Sequence, residues 1–473
     1  MKKLIICITM TSLLFLFACQ PDQPAAPELN TTVAQLAQSK MIAIGNSLTA
    51  GFQSSGLTED FQLNSYPYMV AQQMGKTEFE QPIIGAPGIG SPAGKTPMYL
   101  EDGEIKQDDL TVDPLLLLKN AYLARPYDNL GVPGADLNDL LNTTSSAANP
   151  FFTLVLRNPT FGNTTQLEQA VMLQPTMILL WAGSNDVLGA ALDGGDLAQI
   201  TSQADFSSRM QQVLTQLRTD LPRTMIIMGN VPSVTDIPYI NILDHIFIGA
   251  NDRPVLFDET LQPINAPGVP GGYLPLLTTE TNVEHITLVG LLAYQSGMGV
   301  PDSTYMVDVL SIDPFFAKLL VNAIRAAGVE PSGVPLDASM TLTADETTSI
   351  MTAIDGFNQT IGGLAQTFQV PLVDFHSLLE ELNINGLDGA SGKFVLLDPA
   401  NTAFSLDGVH PNHAGNAIMA NAFIEMINTV LQLNPAIPSV DVSSKLGQYL
   451  PAPGKIQISE AIRGVPALFR SAN

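Results

Sequence analysis

Four short apolar runs stand out along the chain: residues 41–44, 176–181, 224–228 and 370–375. None alternates with polar residues and none is long enough for a buried helix. They predict strands covered on both faces. Between them, apolar positions recur with helical spacing over 66–74, 167–173, 206–221, 347–368 and 413–431, and 135–141 opens as a further helix. Strand alternating with helix predicts an α/β fold built on a doubly wound parallel sheet. Reactive groups in such sheets gather beyond the carboxyl ends of the strands. Ser47 and Asn185, each just past an apolar run, are expected there.

Two stretches break the alternation, about 57–128 and 233–342, both with frequent Pro and Gly and scattered apolar clusters. They read as insertions too long to lack secondary structure, suited to shaping a pocket or lid. The folded domain is expected over 40–435. The tail, 436–473, includes an apolar stretch at 456–469 and is expected to pack back on the body.

The N-terminus has a different pattern. Met1-Lys2-Lys3 precedes an almost wholly apolar stretch to Ala18, the form of an export signal over 1–18 and too short to span a bilayer. Leu16-Phe17-Ala18-Cys19 resembles a bacterial lipoprotein signal, which implies lipidation of Cys19 as the first mature residue. Residues 19–39, rich in Pro, Gln, Ala and Thr, read as a flexible tether. The alternative is a signal peptide cut nearby, with an incidental Cys. Only Cys7 and Cys19 occur, so a lipidated mature chain holds no internal disulfide.

Charge narrows the function classes. Charged residues are 14% of the chain, acids outnumber bases 45 to 20, and the net charge is −25, which argues against nucleic-acid binding. Removing Lys2 and Lys3 with the signal takes the charge to −27, so lipid rather than electrostatics would hold the protein to a membrane. Gln20 follows Cys19 without the Asp of inner-membrane retention, which points to a bacterial cell envelope and its outer membrane.

The candidate chemistry lies in four segments: Gly45-Asn46-Ser47-Leu48, Asn129 to Gly134, Gly183-Ser184-Asn185-Asp186 and Asp407-Gly408-Val409-His410-Pro411. They contain a hydroxyl nucleophile, an amide donor and a carboxylate–imidazole pair, the parts of acyl transfer to water. In this order they resemble the SGNH/GDSL hydrolases, esterases and acylhydrolases on a flavodoxin-like sheet, over about 40–431 with both insertions outside. The resemblance implies Ser47 as nucleophile, His410 as general base and Asp407 orienting the imidazole. It also implies oxyanion donors at Ser47, Gly134 and Asn185, and no metal or organic cofactor. The expected substrate is a lipid or other acyl ester. Removal of acetyl groups from polysaccharide, or a binding lipoprotein that kept the fold without turnover, are the alternatives.

The first segment departs from the family at Asn46, where Asp is usual; Asn retains the size and turn-forming ability of Asp. Asp186 reads as a partner for nearby backbone. A second Gly-x-Asn-Asp at 249–252 is set aside because Arg253-Pro254 follows where a helix should start. His413 is expected to be solvated on the first turn of the last helix. His245, His285 and His376 lack metal-ligand spacing. There is no Gly-x-Ser-x-Gly elbow, and the Gly-rich 85–90 and 94–96 miss the spacing of nucleotide loops.

Overall fold

The structure, a computed structural model, describes residues 35–243, 254–269, 271–449 and 457–469. Cys19, the export signal, most of the tether, His245 and the second Gly-x-Asn-Asp at 249–252 lie outside the described residues.

The fold is α/β. Five parallel strands, β1 (Met41–Gly45), β2 (Asn129–Gly131), β3 (Met177–Trp181), β4 (Met225–Gly229) and β5 (Leu372–Val373), form one sheet in the spatial order 2-1-3-4-5. This is the flavodoxin-like order, with its topological switch between β1 and β3. Every residue of β1 and β3 is buried, as their unbroken apolar runs require. The register sets Gly45 beside both Gly131 and Trp181, so three strands end level.

Helices α1 (Ser47–Ala50), α2 (Tyr66–Gln73), α3 (Leu137–Asn142), α4 (Gln166–Leu173), α5 (Asn185–Leu192), α6 (Gln203–Asp220), α7 (Ala344–Thr367), α8 (Phe375–Asn385) and α9 (His413–Leu431) accompany the sheet. One layer brings α3, α4, α6 and α7 together; another packs α2 against α9. The boundaries follow local chemistry. Thr165 with Glu168, and Thr343 with Glu346, form capping boxes, and the Asn412 side chain accepts from Ala414 and Gly415 N–H.

Beneath α9, Trp181 stacks on Phe375 at 3.8 Å and meets Tyr66 edge-on at 5.5 Å, while Tyr66 stacks on Phe423. This aromatic cluster fixes the end of β3, and Trp181 donates its indole N–H to Asn230 O at 2.9 Å.

Both irregular stretches carry structure. The first contains the helix Glu59–Leu63, α2, a short antiparallel pair of Gly56–Leu57 with Ile89–Gly90, and one small hairpin, Tyr99–Glu101 with Glu104–Lys106. The second holds an antiparallel pair, Val283–Ile286 with Thr341–Thr343, and helices Leu288–Gln295, Ser303–Asp308 and Pro314–Ala326. The tail returns to the body as a 3-10 helix, Glu460–Leu468, which buries Ile462 and Val465.

Candidate active site

The segment after β1 turns sharply. A Cβ on Gly45 would collide with Thr49 Oγ1 and Trp181 O, so only glycine fits. Asn46 Oδ1 accepts the Leu48 N–H at 3.1 Å and caps α1, the work its short amide shares with Asp. Ser47 is therefore the first residue of a helix, where its own N–H has no intrahelical acceptor. Across the same strand ends, Gln166 Nε2 donates to both Gly45 O (2.8 Å) and Leu130 O (2.6 Å), tying β1 to β2.

Beyond β2, Gly134 has φ +82°, and a Cβ there would lie 2.9 Å from Asn149 Nδ2 and from Leu468 O. Its backbone can approach a ligand because it is glycine. The segment after β3 braces it. Asn185 Nδ2 donates to Ala135 O at 2.9 Å, and Asp186 Oδ2 accepts the Leu137 N–H at 3.1 Å. Asp186 is thus the partner of nearby backbone that its position suggested. Burial, and next the charge of Asp136, push its carboxyl up to about 7.

Asp407 and His410 form a fully buried pair, with His410 Nδ1 2.9 Å from Asp407 Oδ2. The same oxygen accepts the Ser55 N–H at 2.7 Å, while Oδ1 accepts from Ser405 Oγ and from the N–H groups of Val409 and His410. Burial alone would raise this carboxyl; the His410 charge and these donors outweigh it and hold Asp407 below the ordinary carboxylate range. In the neutral imidazole, the hydrogen sits on Nδ1 facing the carboxylate and Nε2 keeps its lone pair. The ring lies against Phe52 (4.9 Å) and Phe469 (5.8 Å, near-parallel).

Ser47, Asn185 and His410 line one cavity, whose other walls include Trp181, Leu188, Leu379, Phe404 and Ile418 and are almost wholly apolar. Gly134 does not line it. It faces a neighbouring polar groove, and Asn185 borders both. No hydrogen bond links Ser47 to the imidazole, and His410 Nε2, Ser184 Oγ and Asn185 Oδ1 are buried without partners among the described residues.

Four contributors were not read from the sequence. Ser405 stands two residues before Asp407, a local signal open to reading. Ser55 acts through its backbone, and Ser184 and Phe469 through placement, so no letter pattern marks them. One expectation needs correction: His413 is not solvated. Its side chain is 14% exposed and its Nε2 lies 3.2 Å from Asp60, which comes from the first insertion.

A family model for GDSL-like lipase/acylhydrolase matches residues 41–253 and 312–423. The match runs through the first insertion, which the sequence reading placed outside the resemblance, and its gap falls in the second. Among solved structures, a candidate GDSL-like lipase from Parabacteroides merdae is 13% identical, covering 82% of this chain and 94% of its own, with a TM-score of 0.33. The acetyl xylan esterase AlAXEase is also 13% identical, covering 81% and 97%, with a TM-score of 0.31. No curated protein matches the chain. With more than half its length matched, the chain belongs to the GDSL-like lipase/acylhydrolase family and is an ester-bond hydrolase.

Proposed function

We propose that this protein is a serine hydrolase that cleaves carboxylic esters of apolar acyl groups. The single observation carrying this reading is the buried Asp407–His410 pair opening, together with Ser47, into an apolar cavity. Ser47 Oγ attacks the ester carbonyl while His410 Nε2 takes its proton, and the imidazolium is stabilised by Asp407. Negative charge developing on the carbonyl oxygen is met by the N–H groups of Ser47 and Gly134 and the amide of Asn185. The imidazolium then protonates the leaving alcohol. Water, deprotonated by the same Nε2, releases the acid.

The acyl group enters the cavity because hydrocarbon leaving water gains about 25 cal/mol per Å². Ser47→Ala is expected to abolish hydrolysis of a short-chain nitrophenyl ester and labelling by a fluorophosphonate. Full activity in that variant would remove Ser47 from the role. A folded wild type that neither turns over nor labels would instead favour the binding-protein alternative.

The polar groove beyond Asn185 favours a second reading within the same chemistry, removal of short acyl groups from a glycan. Comparing acetylated polysaccharide with phospholipid as substrate separates the two. The lipoprotein-type signal supports placement on a bacterial envelope membrane, the outer one, through lipid on Cys19. Cys19→Ala is expected to release the protein from the membrane fraction.

A further inference from the structure

Ser47 and His410 are each only 2% exposed. Attack on an ester needs the carbonyl carbon about 3–3.5 Å from the nucleophilic oxygen. Substrate comes that close only if part of the wall around the pair moves aside.

On one side of the imidazole that wall is the tail. The Phe469 ring lies near-parallel to the His410 ring at 5.8 Å. Leu468 O sits 2.9 Å from the point that a Cβ on Gly134 would occupy, and Phe469 O sits 2.7 Å from the corresponding point on Gly189. Two glycines from different elements thus make room for the tail's carbonyls. Gly189 is not at a left-handed φ and lies inside α5, where Ala is the better helix former. The close approach of the tail is what a side chain there would obstruct.

The tail is rooted at one end and pressed on at the other. Gln457 pairs with Glu104 of the first insertion, donating its N–H to Gly103 O at 2.6 Å and accepting the Ile105 N–H at 3.1 Å, and Ser459 Oγ donates to Ile105 O. Past this root, the tail's hydrogen bonds among the described residues stay within it, as from Ile462 N–H to Ser459 O (3.2 Å) and from Phe469 N–H to Pro466 O (3.0 Å). Its contact with the body is apolar. Ile462 and Val465 are buried, and the 3-10 helix packs on α5 and on Leu288–Gln295 of the second insertion. Pro92 of the first insertion lies against Gly464. Apolar contacts are non-directional, so the segment can lift as a unit with its internal hydrogen bonds and its root intact.

We propose that residues 460–469 are a hinged cover that lifts from the root at 457–459 to let an ester reach Ser47, and that Phe469 thereby limits the size of the alcohol group the site admits. This inference rests on the reading of Ser47 as nucleophile. A cover that is mostly closed lowers apparent reactivity by its open fraction, and a larger alcohol group requires a wider opening.

The test uses the full chain and two esters with the same acyl chain, vinyl butyrate and 2-naphthylmethyl butyrate. Gly189→Ala favours α5 but sets a Cβ against Phe469 O; the Gln199 side chain beside it can rotate away, whereas the carbonyl moves only with the tail. Phe469→Ala removes the ring from His410. Each variant is expected to raise kcat/KM for the naphthylmethyl ester about tenfold more than for the vinyl ester, as a larger open fraction requires. In the wild type, amide hydrogen exchange over 460–469 is expected to speed up once Ser47 carries the adduct of a butyl fluorophosphonate whose alkoxy group is naphthylmethyl. An unchanged ratio between the two esters in folded variants, or exchange that the adduct leaves unaltered, would overturn the proposal. If neither variant folds, the exchange measurement on the wild type decides alone. A wild type that hydrolyses neither ester and takes no label would overturn the reading of Ser47 itself, and this inference with it.

Discussion

The two sides of the His410 ring are built to different degrees of completion. On the Nδ1 side, Asp407 receives five hydrogen bonds, from His410 Nδ1, Ser405 Oγ and the backbone of Ser55, Val409 and His410. On the Nε2 side, three buried polar atoms, His410 Nε2, Ser184 Oγ and Asn185 Oδ1, find no partner among the described residues. Buried polar groups are usually satisfied because leaving one unpaired costs about 1–3 kcal/mol. The saturated side is therefore a finished structural unit in the free protein. The unsaturated side holds hydrogen-bonding capacity in reserve for a bound molecule.

The largest expected effect breaks the finished side. Asp407→Asn keeps the shape but turns an anion that fixes the Nδ1–H tautomer into a neutral amide. Hydrolysis of a nitrophenyl ester should fall by about 10⁴ in kcat with little change in KM. A loss below tenfold in a folded variant would mean that the pair orients nothing. Next, on the open side, Asn185→Ala removes the proposed donor to the developing oxyanion and the brace to Ala135 O. A loss of about 100- to 1000-fold in kcat is expected. If KM rose while kcat held, Asn185 would be a ground-state contact only.

The same contrast explains what could be read before the structure. The long strands and α9 were legible because their apolar runs are local and uninterrupted. β2 was not, since three residues carry no measurable periodicity, and β5 spans only Leu372–Val373 of the run that suggested it. At the site, the candidate chemical side chains leave letters: Ser47, Asn185, Asp407 and His410 stand in recognisable order. The support does not. The N–H of Ser55 reaches Asp407 from 352 residues away in the chain and would be the same for almost any residue type. Its turn is unusual, with Ser54 and Ser55 both at left-handed φ of 50° and 55°. His413 looked exposed on its own helix because Asp60, which covers it, belongs to a distant element.

A smaller effect sharpens the account of the saturated side. Ser405 Oγ accepts the Ser54 N–H at 2.8 Å and donates to Asp407 Oδ1 at 3.0 Å, so it couples the strained serine turn to the carboxylate. Ser405→Ala should cost about 1.5–3 kcal/mol, the range for a hydrogen bond to a charged group. The sign with pH follows from Asp407. Its carboxyl is held below the unfolded value, so its stabilisation is present above the ordinary carboxylate range and is lost as pH falls through the depressed folded value. Removing a donor raises that folded value. Acid unfolding, followed by Trp181 fluorescence, should therefore begin at higher pH in the variant. An unchanged acid midpoint would show that Ser405 adds nothing to the ionised state.

The last effect concerns the brace between the two loops, Asp186, and its sign is opposite. Burial pushes this carboxyl up to about 7 in the folded chain, with Asp136 adding to the shift, while an unfolded Asp titrates near about 3.9. Between these values the folded state keeps a proton that the unfolded state has released, so this group's contribution to stability falls as pH rises. Asp186→Asn imitates the protonated form: the amide oxygen still accepts the Leu137 N–H, and nothing titrates. Relative to the wild type, its Tm should gain a few degrees between about pH 4 and about pH 8. A Tm difference that stays flat across that range would mean that Asp186 is already ionised where it braces the loop. The unsaturated side would then border a buried negative charge, which opposes the proposed oxyanion.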